Sequence, residues 1–151
     1  MSSVRDTFEV NFFSIVQITQ TFIPLLIPTS GLILNIGSIA ATIPYVFGSI
    51  YNASKAALHS YSSTLRLELA PYSVSVMVVV TGGVKSNIAR VDRELKPHSL
   101  YGEIGDVYKR RLKHSQEVGV EREGFARDVV REALRDRRKK WVWKGRMAGT
   151  V

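Results

Sequence analysis

Along the first part of the chain, from about residue 5 to residue 27, apolar residues recur every three to four positions. This spacing predicts an amphipathic helix. Further apolar residues such as Phe13 and Leu25 fall on a second face, which indicates that the helix is widely buried. We expect Pro24 to kink or end the helix, and residues 28–31 to form the turn that follows.

Two short, mainly apolar runs follow at residues 32–36 and 74–80. Runs of this kind, bounded by turn residues, are typical of strands that are buried on both faces of a parallel sheet. Between them, residues 49–69 are rich in alanine and leucine. This composition predicts a long helix, with Ser49 as its N-cap and Pro71 beyond its end.

The rest of the chain has a weaker pattern. Residues 87–102 are polar and irregular, residues 101–118 and 122–138 predict two helices, and residues 141–143 suggest a last short strand. The element order is therefore α-β-α-β-loop-α-α-β. Because helices that join apolar strands act as crossover connections, we expect an α/β fold with a parallel sheet.

At 151 residues the chain has the length of one domain, and its 45% hydrophobic residues favour a globular core over disorder. It contains no cysteine, which excludes disulfides, zinc–thiolate sites and a cysteine nucleophile. No stretch reaches the ~18 consecutive apolar residues of a membrane span. The N-terminal sequence also lacks the apolar core of a signal peptide.

The net charge is +8, and much of the excess lies between residues 135 and 146, where seven lysines and arginines accompany Asp136 alone. This basic cluster suits a phosphate on a nucleic acid, a membrane or a substrate. It equally suits the solvated end of a helix. The only aromatic residues interleaved with this cluster are Trp141 and Trp143, and no nucleic-acid-binding motif is present. We therefore expect no nucleic-acid partner.

Candidate chemistry follows the first apolar strand. Ser38 stands just beyond residues 32–36, while Tyr51 and Lys55 are four residues apart on one face of the next helix. Ligands of parallel sheets bind at the carboxyl ends of the strands, so these side chains are expected to share a crevice. A free tyrosine has a pKa of ~10, and a neighbouring ammonium lowers it. Tyr51 could then exchange a proton with a carbonyl oxygen that Ser38 hydrogen-bonds.

Together with Asn11, these residues resemble the tetrad of the short-chain dehydrogenase/reductase family. The gap from Ser38 to Tyr51 is 51 − 38 = 13 residues, and that from Asn11 to Tyr51 is 51 − 11 = 40 residues, similar to the family's spacing. The resemblance implies the C-terminal part of a Rossmann-like, doubly wound parallel sheet. It implies that Tyr51 donates the proton and that Ser38 orients the carbonyl. Lys55 would lower the tyrosine pKa and hold the cofactor ribose, and Asn11 would position a water in a relay.

By the same resemblance, residues 81–86 match the segment that binds the nicotinamide of the cofactor, which usually begins with Pro-Gly. Gly82 stands where that proline would be. The resemblance implies that Gly83, the backbone of Val84 and the hydroxyl of Ser86 contact the carboxamide.

A closer resemblance within this family is to fungal NADPH-dependent 1-acyldihydroxyacetone-phosphate reductases. It implies that NADPH, without a metal, reduces a phosphate-bearing lipid ketone at the cytoplasmic face of the endoplasmic reticulum or at lipid droplets, through peripheral membrane contact. Family resemblance also implies a homodimer formed by helices 5–27 and 49–69. The runs that carry the closer resemblance include residues 22–26, 51–58, 64–71, 81–88, 114–117 and 141–145.

A full family member carries a Gly-rich phosphate loop before the position of Asn11, and this sequence has none. We expect that most of the cofactor's binding energy is therefore lost and that strand 32–36 is an unpaired apolar edge. Residues 1–151 are thus expected to be a truncated, poorly active catalytic half, with residues 87–118 shaping the substrate pocket. The alternative is a non-catalytic dimerisation module derived from such a reductase.

Overall fold

The computed structural model describes residues 2–87, residue 95 and residues 97–150. Within them, a long helical run is followed by strands that alternate with helices. Short 3-10 turns lie at Ile39–Ala41, Ala70–Tyr72, Gly102–Ile104 and Ala148–Thr150. The main elements are α1 Ser2–Phe8, a π-helical turn Glu9–Phe13, α2 Ser14–Leu26, β1 Leu32–Ile36, α3 Ser49–Leu69, β2 Ser75–Thr81, α4 Gly105–Glu117, α5 Arg122–Ala133 and β3 Trp141–Lys144.

The strands form a parallel sheet in the order β1-β2-β3. At the carboxyl end of the β1–β2 pair, Ile36 lies opposite Val79. At the same end of the β2–β3 pair, Thr81 lies opposite Lys144. β2 is the central strand, and its residues 76–80 are all buried. The predicted α/β fold with a parallel sheet is confirmed, and the burial of β2 is typical of such sheets. Within the described residues β1 is an edge strand that pairs with β2 alone, as expected for residues 32–36.

The main apolar core lies between α3 and the strands β1 and β2. Leu65 and Leu69 of α3 form a buried cluster with Ile33, Val74 and Val76. Burying one such side chain fully contributes about 1.5–3 kcal/mol. The core therefore fixes the face of α3 that lies on the sheet, and with it the position of the residues at the start of that helix.

A buried hydrogen bond joins the same two layers. Asn35 Nδ2 donates to Ser62 Oγ at 2.9 Å, and the two residues are 5% and 0% exposed. Asn35 is the polar residue within the otherwise apolar β1. Its partner on α3 explains how an amide is accommodated there, since a buried amide without a partner would be costly.

Several helix boundaries differ from the sequence-based expectation. Gly48, not Ser49, is the N-cap of α3. Pro24 does not end the first helical run, which continues to the end of α2. The helix expected over residues 122–138 ends at Ala133, because the basic residues that follow would repel one another on a helix. Of the segment expected to be irregular, residues 88–94 and 96 lie outside the described part of the chain.

Candidate active site

The carboxyl end of β1 is held by two side chains of α3. Lys55 Nζ donates a hydrogen bond to the carbonyl oxygen of Ile36 at 3.0 Å. One turn further along the helix, His59 Nε2 accepts a hydrogen bond from the backbone N–H of Ser38 at 3.2 Å. The fold therefore brings Ser38 and Lys55 to the same edge of the sheet, although 17 residues separate them (55 − 38 = 17).

Ser38 joins β1 to the 3-10 turn that follows it. Its backbone is extended, with φ −154° and ψ 149°, and its Oγ accepts a hydrogen bond from the N–H of Ala40 at 3.1 Å. The residue is 7% exposed. A serine oxygen that accepts from a backbone amide keeps its hydroxyl proton for a further acceptor, such as a carbonyl oxygen.

Tyr51 and Lys55 lie one turn apart at the start of α3. Burial lowers the pKa of Lys55, because apolar surroundings disfavour the charged ammonium. α3 therefore carries the phenol of Tyr51 one turn before the ammonium of Lys55, which contacts the strand end that leads to Ser38. This set can hold a carbonyl oxygen and transfer a proton to it.

His59 is a site residue that the sequence reasoning missed. A Cβ on Gly37 would come within 2.2 Å of its Nε2, and its ring lies edge-on to Trp141 with centroids 5.3 Å apart. Burial, and then the charge of Lys55, lower the pKa of His59. Both favour the neutral ring, which is the form that can accept from Ser38. Its spacing of four residues from Lys55 was the signal available in the sequence.

Asn11 reaches the same helix through Ser54. Asn11 Nδ2 donates to Ser54 Oγ at 3.1 Å, and Ser54 Oγ donates to the carbonyl oxygen of Tyr51 at 2.7 Å. Ser54 is fully buried, and the sequence reasoning gave it no role. Asn11 lies in the π turn Glu9–Phe13, and such turns inside helices are frequent at functional sites. The structure thus places Asn11 beside the turn of α3 that carries Tyr51.

Residues 81–86 form a tight turn at the carboxyl end of β2. A Cβ on Gly82 would lie 1.9 Å from the carbonyl oxygen of Arg146, so only glycine fits there. Gly83 donates to that carbonyl, and its own oxygen accepts from the N–H groups of Val120 and Arg146. Val84 makes no backbone hydrogen bond to any residue that the structure describes. Its N–H and C=O therefore remain open toward a ligand.

The last predicted cofactor residue of this turn contacts the C-terminal half of the chain. The backbone N–H of Ser86 donates to Gln116 Oε1 of α4 at 2.7 Å. α4 is thereby attached to the turn, so that the region expected to shape the substrate pocket and the expected cofactor segment are adjacent. Sequence spacing could not indicate this contact, because the two residues are 30 positions apart.

Comparison with known proteins shows the family of this chain. A family model described as short chain dehydrogenase matches residues 1–96, which include Asn11, Ser38, Tyr51 and Lys55. The chain belongs to the short-chain dehydrogenase family. A short-chain dehydrogenase of Neurospora crassa, srdE, is 38% identical to it over 153 residues, which cover 100% of this chain and 53% of the relative.

Two other similar proteins indicate the cofactor class. An NADPH-dependent 1-acyldihydroxyacetone phosphate reductase of Schizosaccharomyces pombe is 42% identical over 88 residues, covering 58% of this chain and 30% of that protein. A short chain dehydrogenase structure from Burkholderia cenocepacia in complex with NADP has a TM-score of 0.71 at 26% identity, over 97% of this chain and 53% of that chain. The chain spans about half the length of these curated relatives and solved structures, or less.

A nicotinamide cofactor suits this short-chain dehydrogenase chain. The turn at residues 81–86 has a glycine where a side chain would not fit, and the backbone of Val84 is open to a carboxamide. Lys55 supplies a cation at the neighbouring strand end. Among the described residues, no group of three or more histidine, aspartate or glutamate side chains could hold a metal ion.

The basic cluster is divided between the two ends of the sheet. Arg138 Nη1 lies 3.4 Å from Ser75 Oγ, at the start of β2. Lys144 ends β3, and Arg146 pairs with Gly83 at the opposite, carboxyl end. Residues 135–140 therefore lie away from the candidate active site, and the hypothesis that the whole cluster binds an anionic substrate does not fit the fold.

Part of the cluster's charge is neutralised within the protein. The side chain of Glu132 is 7% exposed, and its carboxylate lies 3.4 Å from Arg135, 3.5 Å from Lys139 and 3.8 Å from Lys144. These three cations offset the cost of burying the carboxylate. Within the described residues, no helix combines the length and the apolar character needed to cross a bilayer.

Proposed function

We propose that this chain supplies the proton-donating part of an NADPH-dependent carbonyl reductase. The observation that carries the proposal is the placement of Lys55, whose ammonium binds the carbonyl of Ile36 at the strand end that leads to Ser38. Tyr51 lies one turn before Lys55 on the same helix. The family match favours this function over that of a non-catalytic dimerisation module.

Each residue has a distinct part in the proposed reaction. The nicotinamide, when bound, supplies a hydride to the carbonyl carbon of the substrate. The Tyr51 hydroxyl gives its proton to the carbonyl oxygen, and Ser38 Oγ donates a hydrogen bond to that oxygen as negative charge develops on it. Lys55 and the backbone of Val84 would hold the cofactor. Asn11, through Ser54, holds the first turn of the catalytic helix.

We propose 1-acyldihydroxyacetone phosphate, or a related lipid ketone, as the substrate. The proposal is supported by the 42% identity to the reductase of Schizosaccharomyces pombe that is named for this compound. The test is NADPH consumption by the purified chain with 1-acyldihydroxyacetone phosphate, compared with a neutral long-chain ketone and with NADH. The expected result is slow consumption, in line with the poor activity expected of residues 1–151, that is faster with the phosphate-bearing ketone and NADPH than with the two alternatives. Equal rates with the neutral ketone would contradict the substrate, and equal rates with NADH would contradict the cofactor preference.

We further propose that the protein acts as a homodimer at the cytoplasmic face of the endoplasmic reticulum or at lipid droplets. Large apolar side chains on the first helical run support an interface there, since Val10, Ile18 and Leu25 are 69%, 59% and 67% exposed. Sedimentation of the wild-type chain and of a Leu25→Ser variant tests the dimer. A wild-type monomer would contradict it. Flotation with neutral and anionic vesicles tests the membrane contact.

A further inference from the structure

The loop between Ser38 and Tyr51 is covered by residues that follow the cofactor turn. Phe47 lies edge-on to Tyr101 and Tyr108, with ring centroids 5.4 and 5.2 Å apart. Phe47 has a φ of 58°, a left-handed conformation that is unfavourable for a bulky residue and is maintained only when its surroundings enforce it. The aromatic contacts provide that enforcement, so α4 and the turn before it are fixed against the candidate active site.

Arg111 of α4 is directed onto the same loop. The centre of its guanidinium lies 5.1 Å from the centroid of the Tyr45 ring. A Cβ on Gly48 would be 3.1 Å from Arg111 Nη2 and 2.9 Å from Asn52 Oδ1. Gly48 is the N-cap of α3, so the guanidinium lies at the N-terminus of the catalytic helix, beside the residue that follows Tyr51.

This guanidinium has no polar partner among the residues that the structure describes. Arg111 Nε is buried without a hydrogen bond, and no described carboxylate forms an ion pair with the side chain. The neighbouring Arg110 is exposed, as a solvated cation should be. A buried arginine donor without an acceptor is costly, and the face of Tyr45 compensates only part of that cost.

Asn52 Oδ1 is a second buried polar atom without a partner at this point. The amide nitrogen of Asn52 donates to the carbonyl oxygen of Ile43 at 3.3 Å. This hydrogen bond sets the orientation of the amide, so the atom without a partner is Oδ1. Close to Gly48, the buried Arg111 Nε–H and the buried Asn52 Oδ1 therefore both lack a hydrogen-bond partner. A ligand that carries an anionic group together with a hydroxyl group would satisfy both.

We propose that Arg111 binds the anionic group, a phosphate or a carboxylate, of the carbonyl substrate. The inference rests on the proposed function, since it assumes that the carbonyl lies between Ser38 and Tyr51. Arginine presents parallel N–H groups that match the oxygens of such anions, and the N-terminus of α3 adds a favourable dipole. Arg111 would then determine substrate specificity, because anionic ketones would bind more tightly than neutral ones.

Binding without turnover tests this proposal. The purified chain is titrated with dihydroxyacetone and with dihydroxyacetone phosphate, which differ by the phosphate alone, and affinity is followed through the NMR signal of the Arg111 Nε–H group and by calorimetry. We expect the phosphate to bind at least about 10-fold more tightly, the affinity change that corresponds to about 1.4 kcal/mol. Arg111→Ala should remove this difference, and the matched Arg110→Ala should keep it.

Two competition experiments test whether the anion bound by Arg111 belongs to the substrate or to the cofactor. Inorganic phosphate should compete with dihydroxyacetone phosphate, whereas NADPH should leave the Arg111 signal unchanged. Arg111→Met, which keeps the contact with Tyr45, replaces Arg111→Ala if that variant unfolds. Equal affinity for the two ketones, equal losses in the Arg110 and Arg111 variants, or displacement of the Arg111 signal by NADPH would each overturn the proposal. Arg111-dependent binding together with an unchanged rate of NADPH consumption in Tyr51→Phe would contradict the proposed function alone.

Discussion

His59 Nε2 accepts a hydrogen bond from the backbone N–H of Ser38 at 3.2 Å, across 21 positions of the chain. The ring must therefore carry its proton on Nδ1 and stay neutral, because a protonated imidazole has no acceptor. The charge of Lys55 on the preceding turn works in the same direction. A buried histidine thus holds the strand end that presents the proposed catalytic serine.

This contact predicts a pH-dependent stability. The pKa of His59 is lowered in the folded chain, so between that value and the unfolded value of ~6.5 the unfolded state binds more protons. The free energy of unfolding should therefore fall as the pH falls below about 6.5. Urea denaturation at a series of pH values should show a shallower dependence for His59→Gln than for the wild type. An unaltered slope in His59→Gln would contradict the prediction.

Removal of the Tyr51 hydroxyl should abolish most of the proposed reduction. General acid catalysis contributes about 10²–10⁴-fold to a rate, so Tyr51→Phe should lower the rate of NADPH consumption by a factor in that range. Its circular dichroism spectrum should be unchanged, since the ring is retained. Tyr72 is 53% exposed and lies beyond the end of α3, and Tyr72→Phe serves as the control. A Tyr51→Phe variant with the wild-type rate would exclude Tyr51 as the proton donor.

The buried pair of Asn35 and Ser62 should contribute to stability. Ser62→Ala leaves the buried Asn35 amide without its acceptor, which costs about 1–3 kcal/mol. The loss is measurable as a lower free energy of unfolding in urea. At the exposed Thr21, whose hydroxyl bonds only within its own helix, an alanine should change stability by less than about 0.5 kcal/mol. If Ser62→Ala and Thr21→Ala lowered the free energy of unfolding equally, the buried hydrogen bond would contribute no more to stability than the exposed one.

Gly82 should not tolerate even one additional methyl group. The Cβ of an alanine would meet the carbonyl oxygen of Arg146 at 1.9 Å, and backbone must then move. We expect Gly82→Ala to lower the free energy of unfolding by about 1–3 kcal/mol, as overpacking does elsewhere. Gly149, around which nothing lies within 4 Å, provides the matched control. If both alanine variants were as stable as the wild type, the close approach of Gly82 to the carbonyl oxygen of Arg146 would be contradicted.

Much of the fold could be predicted from the sequence, because its signals are local. The apolar run at residues 32–36 and the Ala- and Leu-rich pattern at 49–69 gave β1 and α3 with the same bounds. The π turn within the first helical run was not predicted, since its one extra residue per turn leaves no distinct pattern. The end of α5 was placed five residues too far, because periodicity continued while the accumulated charge ended the helix.

The candidate site was predictable only as a set of residue types at particular spacings. The positions of Ser38, Tyr51 and Lys55 could be found because the helix places two of them on one face and the strand end places the third. Their roles in the reaction stay predictions. Ser54, His59 and Arg111 were missed, since their partners lie far away in the sequence and single polar residues on a helix carry no signal of a contact.

The sequence by itself determined most of the helices and strands and the parallel sheet, and it predicted Tyr51 as the proton donor, because periodicity and short spacings are properties of neighbouring residues. Only the tertiary structure decided that Lys55 binds the carbonyl of Ile36, that the basic cluster is divided between two ends of the sheet, and that Arg111 lies at the N-terminus of α3. Each of these depends on which faces the core buries. Burial is a collective result of packing between elements that are distant along the chain.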